Sequence, residues 1–461
     1  MAHFDLMQVL SATGGQLLVS GRSTFTGIST DTRTLQPGDL YIALRGERVN
    51  GHDYLAQARE KGAAGALIQD RVPGVHRRST TTGDWSIIEV TDTLYALGQL
   101  ACLHRRRFNI PIIGITGSAG KTTTKEMTAA ILAQSRTVLK SPGNFNNEIG
   151  LPLTLFRLNK EHQAAVLEFG MRGRGQIGYL ASTALPTVGV VTNIGQSHLE
   201  LLGSQEEIAL AKAELLDEMS SRSTAILPKL DPFFPLLRAH ALGPVITVGD
   251  DADCDIWVSA VLLGEDGCAR FTLQTPGESI PVSLAAPGRH QVWNALAAAA
   301  ATLAVGVTLD EIQRGLAEYV PETGRMRMLQ APRGFFVVDD TYNANPTAMR
   351  ATLDFLAETP GQRKVAVLGD MRELGPTEHE IHRALGAYAM AQHIDTLLAT
   401  GDLGRDYVTG AQDSRAQWYP DHAALTAAAL ALLAPGDVVL VKGSRAMQME
   451  EVVAALLAAP C

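Results

Sequence analysis

Apolar residues recur along the chain in two alternating rhythms. Compact runs of strand length at 110–115, 164–169 and 187–192 are separated by helically spaced stretches at about 122–134 and 205–218. Strands alternating with helices predict a parallel sheet with helices on both faces. Shorter alternating runs between 254 and 282 predict further strands, and the alanine-rich stretch 293–303 predicts a helix that closes this unit. Upstream, residues 1–107 hold short segments broken by turn signals such as Pro37-Gly38-Asp39 and Asn50-Gly51, with helices near 54–61 and 94–107. Downstream of a linker at 318–324 that contains Pro321 and Gly324, strands at 334–340, 364–368, 396–399 and 438–441 alternate with helices near 347–358, 379–392 and 423–433. The expected fold is α/β in three domains: a small α/β unit over 1–107, a central ATPase-like parallel sheet over 108–320, and a Rossmann-like unit over 321–461. No fixed-period repeat underlies the pattern.

Composition removes several function classes. A chain of 461 residues with 46% hydrophobic and 19% charged positions buries substantial cores and is neither disordered nor low in complexity. Its 39 basic against 48 acidic residues leave a net charge of −9, which disfavours non-specific attraction to nucleic acid or to an anionic membrane. Cys102, Cys254, Cys268 and Cys461 lie far apart with no C-x-x-C pair, so neither a zinc ribbon nor a redox motif is expected and a reducing compartment fits. The opening MAHFDLMQVL lacks a basic-then-apolar leader, and the most apolar stretch, 295–307, is too short to span a bilayer. A cytoplasmic monomer with small-molecule partners, no nucleic acid and no membrane insertion is expected.

The strongest local signal is G-I-T-G-S-A-G-K-T-T-T-K-E, residues 114–126, between a predicted strand and a predicted helix. Backbone N–H groups of such a loop surround phosphate oxygens, the helix presents its positive N-terminus, and a lysine neutralises the outer phosphate charge. Lys121 is that lysine, and Thr122 reaches a magnesium ion. The strict phosphate-loop spacing wants glycine where Ile115 stands, and here Gly117 takes the part. A glycine-rich turn with a surface lysine is the plain alternative.

Further segments share one resemblance. N-F-N-N-E-I-G-L-P-L-T-L (144–155), L-E-F-G-M-R-G-R-G-Q-I (167–177), T-N-I-G-Q-S-H-L-E (192–200) and A-K-A-E (211–214) follow the glycine loop. After them come G-R-H-Q-V-W-N-A-L (288–296), D-D-T-Y-N-A-N-P (339–346), G-D-M-R-E-L-G (369–375) and V-K-G-S-R-A-M (441–447). In number and order these resemble the Mur ligase family, ATP-dependent amide-forming enzymes of peptidoglycan precursor synthesis. Within that family the match points to members that join D-alanyl-D-alanine to UDP-N-acetylmuramoyl-tripeptide. The chain departs from the family pattern at Arg172 and Gln291, where asparagine is usual, and at Gln176, where glutamate is usual.

Amide formation in water is uphill, and transfer of the ATP γ-phosphoryl group to the carboxylate makes an acyl phosphate that an amine then attacks. Two anionic reactants must be held together, so such a site needs divalent metal and cationic clamps more than a protein nucleophile. The resemblance implies nucleotide contacts from Thr116, Gly117, Ser118, Ala119, Gly120, Lys121, Thr122 and Thr123. It implies magnesium, as two ions, held by Thr122, Glu168 and His198; both Glu168 and His198 follow predicted strands, at the edge where open α/β sheets bind ligands. Glu168 is otherwise a strand-end carboxylate that caps a helix or pairs with Arg172, and His198 a loop or core histidine. Lys212 by resemblance becomes a carbamylated metal ligand; as a bare helical lysine it reads as a solvated charge. Asn294 is implied to contact adenine, or is a helix-start cap. Arg325 is implied to meet the γ-phosphate, or is a solvated linker arginine.

Asp340 and Asn343 suit ribose or phosphate, with Asn345 also the start of an Asn-Pro turn. Asn146, Asn147, Lys442 and Ser444 are implied to touch the acceptor or the acyl phosphate. In the first domain Ser29, Arg33, Arg45, Asn50 and His52 resemble uridine-diphosphate-binding segments, and are otherwise ordinary turns and surface charges. The other activities considered are addition of the third amino acid of the peptide and an ATPase that forms no bond. The chain lacks the D-N-P-R segment typical of the former.

Overall fold

The computed structural model describes residues 2–70 and 84–459. Its N-terminal five-stranded sheet runs Gln16–Val19, Ser86–Glu89, Gly65–Ile68, Asp39–Ile42, Gly27–Ser29, with only the first pair antiparallel. Period-two alternation sends Leu40, Ile42 and Leu67 to one face, against Leu97 and Leu100 of the helix Thr93–Arg105. Tyr41, Ala66 and Ile68 go to the other, against Leu55 and Ala58. Both faces are therefore covered, which is why Leu40–Ile42 and Ala66–Ile68 are apolar without alternation.

The central sheet has nine strands in the order Glu278–Pro287, Cys268–Thr275, Ile256–Leu263, Val245–Gly249, Thr224–Pro228, Val188–Val191, Ile112–Thr116, Ala164–Glu168, Val138–Lys140. It is parallel from Val138–Lys140 to Ile256–Leu263 and antiparallel in the last two pairings. The expected parallel sheet is thus extended by an antiparallel edge. Ile113, Ile115, Val166 and Val190 pack on one face against Met127 and the alanine-rich helix Gln291–Leu303. Ile112, Leu167 and Val191 pack on the other, with Leu180 and Leu215.

One expectation is corrected here: Gln291–Leu303 does not close the unit. A further helix, Leu309–Glu318, follows it, opened by a capping box in which Thr308 and Glu311 satisfy each other's backbone N–H groups. The Thr-x-x-Glu spacing announces that helix, and Leu309, Ile312 and Leu316 give it one apolar face.

The C-terminal sheet runs Arg327–Gln330, Phe336–Asp340, Val438–Lys442, Lys364–Leu368, Thr396–Thr400, Ala416–Tyr419, parallel except for its first pair. Helices Pro346–Glu358, Glu378–Ala391 and His422–Leu432 lie where the pattern put them, within one or two residues. Among the described residues no helix is long and apolar enough to cross a membrane.

The basic end of helix Thr93–Arg105 is not a solvated cluster. Arg105 is buried and donates to the carbonyl oxygens of Ala184 at 3.0 Å and Phe108 at 2.6 Å, tying the first sheet to the central one. Beside it His104 sits among Phe4, Phe108 and Phe156, donating Nε2–H to Leu158 O at 3.0 Å. Burial pushes its pKa down to about 4 from the ordinary 6.5. The unfolded chain therefore binds more protons than the native one between those values, so stability rises with pH there and is lost as pH falls from 6.5 towards 4. The loss is on the order of 3 kcal/mol. The fall in thermal midpoint between pH 7.5 and 5 is expected to be smaller in His104→Gln than in the wild type. An equal fall would remove His104 from the account.

Candidate active site

Three neighbouring strands of the central sheet end together. Glu168 stands beside Ile115, and Val191 beside Thr116, across parallel pairings. The glycine loop leaves the middle strand and enters the helix Lys121–Leu132. Gly117 (φ 149) and Gly120 (φ 79) take backbone conformations that side chains resist. A Cβ at Gly120 would lie 2.1 Å from Asn294 Oδ1. Gly120→Ala is therefore expected to displace Asn294 and weaken nucleotide binding at least about tenfold with little change in fold. Fluorescent-nucleotide titration checks this, and unchanged affinity would mean the loop does not hold the nucleotide.

The loop is pinned from outside. Ser118 N–H donates to Asn193 O and Ala119 N–H to Asn193 Oδ1, both at 3.0 Å, while Thr192 Oγ1 donates to Ala119 O at 2.6 Å. The N–H groups of Ser118 and Ala119 are thus committed to the protein, a correction to the expectation that the whole loop cradles phosphate. The first turn of Lys121–Leu132 keeps its free N–H groups for an anion. Thr116 is also corrected: it is fully buried, its hydroxyl donates to Phe169 O at 3.1 Å, and it does not line the cavity.

That cavity, about 870 Å³, opens between the central and C-terminal sheets. Lys121, Thr122, Glu168, His198, Asn294 and Arg325 line it, as do Asn146, Asn147, Asp340, Asn343, Lys442 and Ser444. Glu168 accepts from Thr122 Oγ1 at 2.7 Å and from Asn146 Nδ2 at 2.8 Å, so Arg172 is not its partner. Lys121 Nζ donates to Gly117 O at 2.7 Å; burial and the charge of Arg325 lower its pKa, and Glu168 partly counters them. Arg325 is no solvated linker residue: its guanidinium stacks 3.9 Å from the Tyr342 ring. Asn294 lies inside its helix and not at the cap, bonding Gln291 Oε1 at 2.8 Å, so Gln291 serves to orient it.

Buried polar atoms without a partner among the described residues include Ser197 Oγ, His290 Nδ1, Arg325 Nε and Ser444 Oγ, and all four residues line this cavity. Orphaned polar groups that line one cavity from both sides are available to a ligand bound there. Burial pushes the pKa of His290 down to about 4, so it is neutral at pH 7.

Lys212 is placed differently from the solvated helical charge of the plain alternative. It is 1% exposed, so not a solvated charge, and it does not line the cavity. Burial, then the charge of Lys121, holds its pKa well below the ordinary lysine value. Lys442 and Asp340 are a buried ion pair at 2.5 Å, with Lys442 Nζ also donating to Asn343 O at 2.9 Å; the lysine fastens the Asp340–Asn343 loop and presents no free charge. Asn345 caps the helix Pro346–Glu358 and donates to Ser118 O at 3.3 Å, joining the C-terminal sheet to the glycine loop.

None of Ser29, Arg33, Arg45, Asn50 or His52 reaches this cavity. Arg33 pairs with Asp31 at 2.6 Å and Arg45 with Asp70 at 2.6 Å, Ser29 donates to Asp31 O, and Asn50 caps the turn Gly51–Tyr54 and bonds His52. Both arginines remain largely exposed in these ion pairs, on the first domain and apart from the cavity. Sequence reading missed His290, Tyr342, Arg372 and Glu373 as cavity residues. Each lies inside a quoted motif, but nothing in the motif says which side chain turns inward.

Comparison with known proteins decides the family. Residues 24–105 match the Mur ligase family catalytic domain, 115–302 the Mur ligase middle domain, and 324–445 the Mur ligase glutamate ligase domain. The chain belongs to the Mur ligase family. Among curated Mur ligases it is 41% identical to UDP-N-acetylmuramoyl-tripeptide–D-alanyl-D-alanine ligase of Synechocystis, over 94% of this chain and 92% of that one. It is 37% identical to the Escherichia coli enzyme of that name over 99% of both. Solved Mur ligases superpose closely: MurF of Acinetobacter baumannii with a TM-score of 0.92 at 33% identity over 99% of both chains. MurF ligase of Thermotoga maritima in complex with ADP gives 0.83 at 28% identity, covering 93% of this chain and 96% of that one.

Proposed function

We propose that this Mur ligase joins D-alanyl-D-alanine to UDP-N-acetylmuramoyl-tripeptide, converting ATP to ADP and phosphate through an acyl phosphate. The observation that carries the reading is a single cavity in which Lys121, Arg325 and Glu168 converge between two sheets, in a chain colinear with ligases of that name. The division at about 107/108 and 320/321 gives each of the three large sheets its own domain: nucleotide-sugar binding, ATP binding and acceptor binding.

Thr122 and Glu168 offer hard oxygen donors beside the loop, and no cluster of three or more His, Cys, Asp or Glu side chains poised for a metal exists among the described residues. That donor set fits Mg2+, which takes one or two protein oxygens and completes its shell with phosphate and water. Magnesium at Thr122, Glu168 and, for a second ion, His198 would supply charge neutralisation between ATP and the attacking carboxylate. Lys121 and Arg325 then clamp the γ-phosphoryl group from opposite domains, in a site dry enough that each donor counts heavily. Asn294 orients the adenine end, Asp340 and Asn343 meet the ribose or phosphates, and Ser444 with its free hydroxyl meets the acceptor. Asn146 orients Glu168, while Asn147 bonds Gly150 N–H at 2.8 Å and shapes the loop beneath the acceptor. Lys212, a buried amine whose pKa is held well below the ordinary lysine value, adds to CO2 with loss of a proton, and the carbamate anion faces Lys121. The protein works as a cytoplasmic monomer, since one chain supplies all these groups.

Mixing ATP, UDP-N-acetylmuramoyl-tripeptide and D-alanyl-D-alanine tests the reading by product mass. One amide per ATP, with phosphate release requiring both co-substrates, is expected. ATP hydrolysis without them would point to an ATPase that forms no bond. Product from the dipeptide precursor and a single amino acid would point to the ligase one step earlier.

A further inference from the structure

Two loops from different sheets meet at the cavity rim, and one carboxylate joins them. Glu373, in the loop after Lys364–Leu368, accepts from His198 Nδ1 at 2.5 Å and from Arg172 Nη2 at 3.2 Å. Its backbone oxygen accepts from Glu200 N–H at 3.3 Å. Both partners sit in left-handed backbone, Glu373 at φ 63 and His198 at φ 61, a conformation that residues with side chains keep only where surroundings impose it. Gly375 (φ 63) permits the approach, since a Cβ there would lie 3.2 Å from Glu200 Cα. No described residue bonds His198 Nε2, and the ring lines the cavity.

We propose that Glu373 is a positioning residue for His198, supplied by the opposite domain. By accepting the Nδ1 proton it fixes the ring and its tautomer, leaving Nε2 as the lone-pair nitrogen on the cavity side. Metal-binding histidines commonly donate their other ring N–H to a carboxylate, and loss of that partner costs about 10–100-fold in metal affinity or activity. Here the carboxylate arrives only with the C-terminal sheet, so closure itself makes His198 a competent ligand. Arg172, one of the positions where this chain departs from its family's usual residue, anchors the other oxygen and holds Glu373 in register. The inference rests on the reading that the cavity takes a metal–nucleotide complex.

The test uses full-length protein saturated with a non-hydrolysable ATP analogue and titrated with Mn2+, free ion being counted by electron paramagnetic resonance. Glu373→Ala is expected to weaken the second Mn2+ about 10–100-fold, with Glu373→Gln between it and the wild type because an amide oxygen still accepts. The kcat for amide formation falls in parallel, while KM for ATP stays within about twofold because the glycine loop is untouched. Unchanged Mn2+ affinity in Glu373→Ala, or a KM for ATP that rises as steeply as kcat falls, would overturn the proposal. Wild-type protein that shows the Mn2+ difference yet forms no amide would overturn the ligase reading and leave the Glu373 assignment supported.

Discussion

Replacing Lys121 with alanine is expected to lower the rate of amide formation by at least about a thousandfold. The lysine is the cation nearest the loop, held by Gly117 O, and Glu168 and Arg325 are close enough to shift its proton affinity. Removing it leaves the developing charge on the transferring phosphoryl group with one cationic clamp, Arg325, on the far side of the cavity. The fold should not suffer. Lys121 forms none of the ion pairs found among the described residues, and alanine is the best helix former for the first turn of Lys121–Leu132. Circular dichroism and the thermal midpoint should therefore stay near the wild type while phosphate release collapses. Retained activity would remove the lysine from phosphoryl transfer.

The second large effect belongs to Lys212. The Lys212 amine is buried beside another lysine with its pKa held well below the ordinary value, and the proposed addition of CO2 would form a C–N bond, release a proton and give a carbamate that attracts Lys121 where an ammonium would repel it. Lys212→Arg cannot form the carbamate, and is expected to lose about a hundredfold or more of kcat. Wild-type enzyme depleted of bicarbonate should lose activity and regain it on addition, and 13C-labelled bicarbonate should give a carbamate resonance absent from Lys212→Arg. A fully active Lys212→Arg with no response to bicarbonate contradicts the assignment.

The fold was legible wherever burial on both faces made a strand uniformly apolar, as in Ile112–Thr116, Ala164–Glu168 and Val438–Lys442. It was less so at Val138–Lys140 and Thr224–Pro228, where edge position or a proline dilutes the signal. The pairing of Thr122 with Glu168 follows from strand ends that share one edge, a consequence of parallel topology that a motif already encodes. Contacts between sheets are not encoded that way. Nothing local tells that Glu373 meets His198 or that Asn345 reaches Ser118. These depend on how two separately folded sheets face one another.

A crystal of the protein with Mg2+ and a non-hydrolysable ATP analogue tests the central claim most directly. The terminal phosphorus should lie within reach of both Lys121 Nζ and the Arg325 guanidinium, with Mg2+ touching Thr122 and Glu168. A closed structure with the triphosphate bound elsewhere, and Lys121 still on Gly117 O, would contradict it.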